Sequence, residues 1–464
     1  MKIKVRPEDF RVEELLQLRL TRQGRYSIYR MEKRGWDTMN VLDYVGRKHR
    51  LGRLSRAGLK DRYSVSAQYV STERRGPEYI TGNGFSLKHI GFSAHPVTRD
   101  LLLGNRFEIV VRDLTHEEVR TAQTNLPKLQ NDGFANYYDE QRFGSSRIRE
   151  QAPGVPRPSE PRHPSPVFVV EKLIQGDFEG ALRLYMATPV ESDDPEPRRS
   201  RELIEKCWGN WSRCLKHAKP EFVPVLNHLR RTARAAGRSE FRVLSSEFAK
   251  PETRNSKLET VHPDFEGAVR RIRPDLLGLF ITSFQSFIWN ETLAELIRGL
   301  DLPAQIVRYR QGEMVFFTEL NPVAWRFFER HEIPVVSPEL GRIQPKAHSH
   351  QRTAQNPDSE AVGKGLSTVG ASRHLLPERI TQAIASVLRR QGVRLNDLRL
   401  PFNIEGLRFK PYTRPGIVVP RELRSSEPQP DELHHDRQKL ELAFELPPGS
   451  FATILIRRLF LNAE

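Results

Sequence analysis

Cysteine is nearly absent: two in 464 residues exclude a disulfide framework and leave too few thiolates for a Cys-rich zinc site. Long apolar runs are missing as well. No stretch approaches the roughly 18 consecutive apolar residues that would span a bilayer, so no membrane partner is expected. The opening MKIKVRPEDF lacks the apolar segment of a secretory signal, and the expected location is the cytoplasm. Familiar catalytic signatures are also absent. Without a G-x-x-x-x-G-K-S/T, an H-E-x-x-H, a G-x-S-x-G or a strand-linked G-x-G-x-x-G, nucleotide hydrolysis and zinc peptidase chemistry lose most of their support. Cys207 and Cys214, on one face of a helix with His217 a turn further on, fall short of a zinc shell and are expected to pack in a core. His348 with His350, and His434 with His435, lack further ligands at metal spacing and are expected in solvated loops. No metal and no cofactor is expected.

Positive charge is abundant. The chain carries 74 Lys and Arg against 58 Asp and Glu, a formal net charge of +16, together with 24 Phe, 11 Tyr and 5 Trp. A basic protein rich in aromatic rings has what nucleic-acid binding requires, phosphate neutralisation and stacking surfaces, although a histone-like binder would show the same balance. At about 150 residues per domain the length suggests two or three domains.

The first 145 residues read as an α/β unit. Phe107, Ile109 and Val111, and Tyr63, Val65, Ala67 and Tyr69, alternate as half-buried strands do. Thr38 is expected to cap a helix carrying Val41, Leu42 and Val45, and Thr115 with Glu118 forms a capping box ahead of another. Prolines then crowd APGVPRPSEPRHPSP, which can form neither a regular helix nor a central strand. Beyond it helical patterns dominate, over 169–186, 201–218, 222–236, 283–300 and 377–391, with a polar loop expected over 346–373. After Phe409 the strand pattern returns in Leu440, Leu442, Phe444 and Leu446, followed by a turn and a helix with Ser450 as the expected cap. This order suggests a middle domain inserted into the first.

Three segments concentrate glycine, aromatic and charged residues. In RAGLKDRYSVSAQYVS, Asp61 stands between Lys60 and Arg62 at a strand mouth, where a carboxylate beside cations stays ionised and is available as nucleophile or base; a solvated surface turn is the plain alternative. In FANYYDEQRFGS, rings and amides interleave with Arg142 and Gly144, as suits a base-binding pocket or an ordinary aromatic core turn. In GSFATILIRR, a Phe ahead of a helix could stack on a ligand or plug the core.

Together these segments resemble the TruD family of tRNA pseudouridine synthases. The family's P-E-D-F-x-V-x-E is present in full from Pro7 to Glu14. Its A-G-x-K-D-x-x-A-x-T-x-Q appears from Ala57 to Gln68, with Ser64 for Ala and Ser66 for Thr. G-N-x-F is found from Gly104 to Phe107, N-Y-F-G-x-Q-R-F-G from Asn136 to Gly144, and G-S-F-A-T from Gly449 to Thr453. The middle matches loosely, through SFQSFIWNETL. The resemblance implies an α+β pseudouridine synthase catalytic fold, a mixed and largely antiparallel sheet with flanking helices, carrying an inserted α/β TRUD domain. Residues 1–150 and 411–464 would form the catalytic domain and 151–410 the insertion.

The activity so implied is isomerisation of a uridine in RNA, with tRNA position 13 as the expected target and a monomer as the expected form. The family's catalytic aspartate falls on Asp61, attacking ribose or base. Lys4 takes the place of a lysine that would hold Asp61 ionised in a desolvated pocket, and Phe10, Asn136 and Phe451 match residues that contact the target nucleotide. Lys60 and Arg142 are the further candidate substrate contacts. Tyr138 stands where the family usually has Phe and is compatible with a proton-removing base at carbon 5. Asp139 replaces a Gly, so it must avoid a backbone that glycine permits, and it sets a carboxylate near anionic RNA. The rival readings are a non-catalytic RNA-binding or ribosome-assembly protein that retains the fold, and, less supported, a metal hydrolase.

Overall fold

The computed structural model describes residues 1–143, 146–148, 166–189, 195–246, 263–309, 311–340, 377–404 and 406–461. The proline-rich stretch up to residue 165, Gly144, His348, His350 and the 346–373 segment lie outside the described residues.

The N-terminal strands are β1 (Phe10–Leu16), β2 (Tyr26–Arg34), β3 (Ser55–Arg56), β4 (Val65–Thr72), β5 (Tyr79–Gly82), β6 (Phe85–Ser93) and β7 (Leu102–Leu114). Helix α1 (Thr38–Lys48) follows β2 and α2 (His116–Asp132) follows β7. The middle of the chain holds α3 (Val169–Ile174), α4 (Phe178–Met186), α5 (Pro195–Lys206), α6 (Trp211–Cys214), α7 (Val223–Ser246), α8 (Phe265–Val269), α9 (Pro274–Gly299), α10 (Pro322–Arg330) and α11 (Glu378–Arg390). Its strands are short: β8 (Phe134–Ala135), β9 (Ser146–Ile148), β10 (Pro166–Phe168), β11 (Ala304–Tyr309), β12 (Gly312–Phe317), β13 (Glu332–Val335), β14 (Tyr412–Pro415) and β15 (Ile417–Val418). The chain closes with β16 (Arg421–Ser425), β17 (Gln429–Pro430), β18 (Gln438–Leu446) and α12 (Ala452–Leu459).

One sheet dominates, in the order β16-β18-β7-β1-β4-β2-β6-β5. It is antiparallel except where β1 runs parallel to β4, so the fold is α+β with a largely antiparallel sheet, as the resemblance implies. Strand β18 pairs with β7, Phe444 opposite Phe107 and Leu442 opposite Ile109. The last strands of the chain thus complete the sheet begun by the first ones.

Local chemistry explains most elements and corrects some expectations. Asp37, not Thr38, caps α1, its carboxylate accepting from Met39 N at 2.8 Å and Asn40 N at 3.2 Å. Thr115 and Glu118 form the expected capping box on α2. The helix expected over 169–186 is divided: Gly176, with φ of +74°, separates α3 from α4. Phe451 rather than Ser450 occupies the N-cap of α12, with no side-chain cap. Cys207 and Cys214 are buried with sulfurs 2.8 Å apart, and no group of side chains able to hold a metal exists among the described residues. His434 is not a solvated loop residue. It bonds the buried Asp431, which with Asp9 neutralises the buried Arg112, whereas His435 is exposed.

Candidate active site

The P-E-D-F motif fixes the N-terminal end of the site through its acidic residues. Arg112 Nε donates to Asp9 Oδ1 at 3.0 Å and its Nη1 to Asp431 Oδ1 at 3.0 Å, a cluster that ties β7 and the chain after β17 to the turn ahead of β1. Just upstream, Lys2 and Arg112 exchange main-chain hydrogen bonds, while the Tyr63 hydroxyl donates to Val5 O at 3.3 Å. Lys4 sits between these two pins with φ of +56°, a left-handed backbone that a lysine adopts only where its flanks are held. Its ammonium meets Asp61 Oδ2 at 2.5 Å and lies 4.3 Å from the centre of the Phe10 ring. The expected ion pair is therefore present. The pocket is less closed than expected, since the Asp61 side chain is 48% exposed while Lys4 is 17%.

Asp61 rides on the loop between β3 and β4, and buried side chains grip the main chain of that loop. Gln68 Nε2 reaches Gly58 O at 3.3 Å, Thr38 Oγ1 lies 3.3 Å from Lys60 O, and Ser64 Oγ and Lys33 Nζ converge on Asp61 O at 2.8 and 2.7 Å. The Lys60 side chain turns into the protein. Its ammonium pairs with Glu14 Oε1 at 2.7 Å, both side chains buried, and Glu14 also accepts from Tyr69 N. The last Glu of the first motif thus neutralises the Lys of the second, because a buried ammonium needs a counter-charge.

Phe10 is buried, edge-on to Phe107, and that ring stacks on Phe444 across β1, β7 and β18. Lys4 lies over its ring, so Phe10 sits directly beneath the ion pair.

A second cluster gathers around Tyr138. Asn290 on α9 holds its main chain from both sides, accepting from Tyr138 N at 2.8 Å and donating to its carbonyl at 2.9 Å. The Tyr138 ring packs edge-on against Trp289 and Phe451, with the Arg414 guanidinium 3.9 Å from its centre. Its hydroxyl is 2.9 Å from that of Tyr412, and burial pushes the Tyr412 phenol well above its ordinary range. Asn136 is 1% exposed and its amide is engaged internally, Nδ2 on Pro415 O at 3.0 Å and Oδ1 accepting from Arg414 at 2.8 Å. Arg142 is exposed, with its guanidinium 5.9 Å from the Tyr138 ring centre. Phe451 is half-buried at the turn opened by Gly449, whose φ of +87° suits glycine. Asp139 keeps φ negative and accepts from Glu140 N at 2.9 Å, so glycine's freedom is not needed there.

The structure gathers the expected site residues in two clusters, Lys4, Phe10 and Asp61 in one and Asn136, Tyr138, Arg142 and Phe451 in the other. Among the described residues no hydrogen bond or ion pair joins Asp61 to Tyr138. Sequence reasoning missed Lys33, Arg414, Glu14 and Trp289. A lysine at an inward register of β2 was a signal for Lys33; Arg414, in a short strand far from every motif, gave none.

A family model described as "tRNA pseudouridine synthase D (TruD)" matches residues 1–459. The tRNA pseudouridine synthase D of Leptospira interrogans is 25% identical over 468 residues, covering 100% of this chain and 96% of that protein. That of Aquifex aeolicus is 28% identical over 479 residues, covering 100% and 98%. The crystal structure of a putative tRNA pseudouridine synthase D from Methanosarcina mazei superposes with a TM-score of 0.59 at 22% identity, over 99% of this chain and 93% of that one, a likeness of fold.

Proposed function

We propose the following reaction from the premise that the chain belongs to the tRNA pseudouridine synthase D (TruD) family, whose members are isomerases acting on RNA. The substrate is a uridine of tRNA, with position 13 as the target. The bond from ribose carbon 1′ to N1 breaks, the base turns, carbon 5 joins carbon 1′, carbon 5 loses its proton and N1 gains one. Atoms balance without redox change. Asp61 is the reacting carboxylate, and the observation that carries this assignment is its ion pair with Lys4, which fixes the carboxylate in place while leaving it half-exposed to an incoming nucleotide. Phe451 and Arg142 lie at the open side of the second cluster and would contact the extruded base and its backbone, offsetting part of the few kcal/mol that unstacking costs. Asn136 acts by holding Arg414 beside the Tyr138 ring, and Tyr138 is the candidate to take the carbon 5 proton.

The same proposal takes residues 151–410 as a domain inserted between 1–150 and 411–464; the pairing of β18 with β7 supports it. It includes action as a monomer in the cytoplasm. No helix among the described residues is long and apolar enough to cross a membrane.

Incubation with tRNA transcripts carrying tritium at uridine carbon 5 tests the reading. Release of tritium with pseudouridine mapped to one position is the expected result, and tight binding without release would leave only the non-catalytic RNA-binding alternative.

A further inference from the structure

Lys33 is a buried cation that the isomerisation as written does not use. It lies on β2 opposite Ser66 of β4, is 1% exposed, and its Nζ donates to the main-chain oxygen of Asp61 at 2.7 Å. The Ser64 hydroxyl donates to the same oxygen at 2.8 Å. A neutral donor already satisfies that carbonyl, so hydrogen-bond completion does not explain why a full charge is buried there. The charge is costly to bury, and among the described residues no carboxylate forms an ion pair with it. Three charged groups face it: Asp37 ahead of α1, and Asp61 and Lys60 of the loop, the last neutralised by Glu14. Burial pushes the Lys33 ammonium down to about 8, with Asp37 and Asp61 opposing the fall and Lys60 adding to it.

We propose that Lys33 is a positioning residue for the reaction: its ammonium clamps the main chain of Asp61 and sets a second positive charge, besides that of Lys4, near the carboxylate. Lys4 fixes where the carboxylate points, and Lys33 fixes the backbone from which it points. The inference rests on Asp61 being the reacting group. Loss of the Lys33 proton removes a charge-assisted bond beneath Asp61, so turnover falls as pH rises through the range in which Lys33 titrates.

The test uses the full chain, as wild type, Lys33→Met and Lys33→Arg, in single-turnover tritium release from tRNA across about pH 6.5 to 9.5. The wild-type rate should fall above about pH 8. Lys33→Met should bind tRNA as wild type does, react at least about tenfold more slowly and show no such fall, because its uncharged stem does not titrate. Lys33→Arg should recover part of the rate and carry the fall to higher pH. A Lys33→Met rate within about twofold of wild type overturns the proposal. If Lys33→Met does not fold, an alkaline fall that Lys33→Arg leaves in place overturns it as well. A wild-type protein that releases no tritium from any RNA overturns the function itself, a result distinct from either.

Discussion

The Arg414 guanidinium donates to both oxygens of Asn136, the main-chain carbonyl and, at 2.8 Å, the side-chain Oδ1, across 278 residues of sequence. The same guanidinium reaches Gly449 O at 2.7 Å and lies 3.9 Å from the Tyr138 ring and 4.8 Å from that of Trp289. One buried cation therefore joins the segment after β8, the turn that presents Phe451 and helix α9. Burial opposes the charged form, and the two tyrosine hydroxyls favour it. Arg414→Met should cost about 3 kcal/mol of stability, since it leaves the buried carbonyl and Oδ1 of Asn136 without their donor. Thermal unfolding measures this; a shift within about 0.5 kcal/mol would mean the guanidinium is replaceable there.

Asp61→Ala should lower the isomerisation rate on the order of a thousandfold or more while leaving tRNA affinity nearly unchanged. An active Asp61→Ala enzyme would sink the assignment of Asp61. Tyr138→Phe removes one hydroxyl that also bonds Tyr412 and should slow the reaction by about a hundredfold or more, the contribution of a general base, while keeping measurable activity. A loss below about tenfold would remove Tyr138 from that role.

Acid should loosen the anchor of the first motif. Burial pushes the Asp431 carboxyl up, but Asp113 N, Leu433 N, His434 and Arg112 outweigh it and hold the group well below its ordinary value of 3.8. A depressed folded value contributes stability that is fully present above the unfolded value and is lost as pH falls below it. Stability should therefore drop below about pH 4, and Asp431→Asn should flatten that acid limb while lowering stability at neutral pH by about 2 kcal/mol. Denaturant unfolding at several pH values would show an unchanged acid limb in Asp431→Asn if the cluster were inconsequential.

Glu291 on α9 has the opposite sign. Burial raises its carboxyl to about 7, against the pull of Arg390 and Arg298, and its Oε1 has no hydrogen-bond partner among the described residues. A folded value above the unfolded 4.5 means the native state binds the extra proton, so stability declines as pH rises from about 4.5 to about 7. Glu291→Gln should abolish this decline and stabilise the protein at pH 8 by about 2 kcal/mol, read as a rise in melting temperature.

The sequence by itself carried the family's contiguous motifs, and the resemblance they make brought with it the α+β class and the expectation that Lys4 pairs with Asp61. Motifs and period-two alternation are local and survive without coordinates. It also announced the capping box at Thr115, since a cap involves residues three apart. What only the tertiary structure decided is which charges stay exposed and which are buried in pairs that hold the protein together. Lys60 stands next to Asp61 in sequence, yet it turns into a buried pair with Glu14, because the parallel registry of β1 and β4 brings that carboxylate beneath the loop. Lys33 and Arg414 carry no motif of their own, but each is buried against the main chain of a candidate site residue from a distant part of the chain. Charge and aromatic content are additive properties that composition reports. The partner of a buried charge depends on strand order, and strand order is a property of the folded chain.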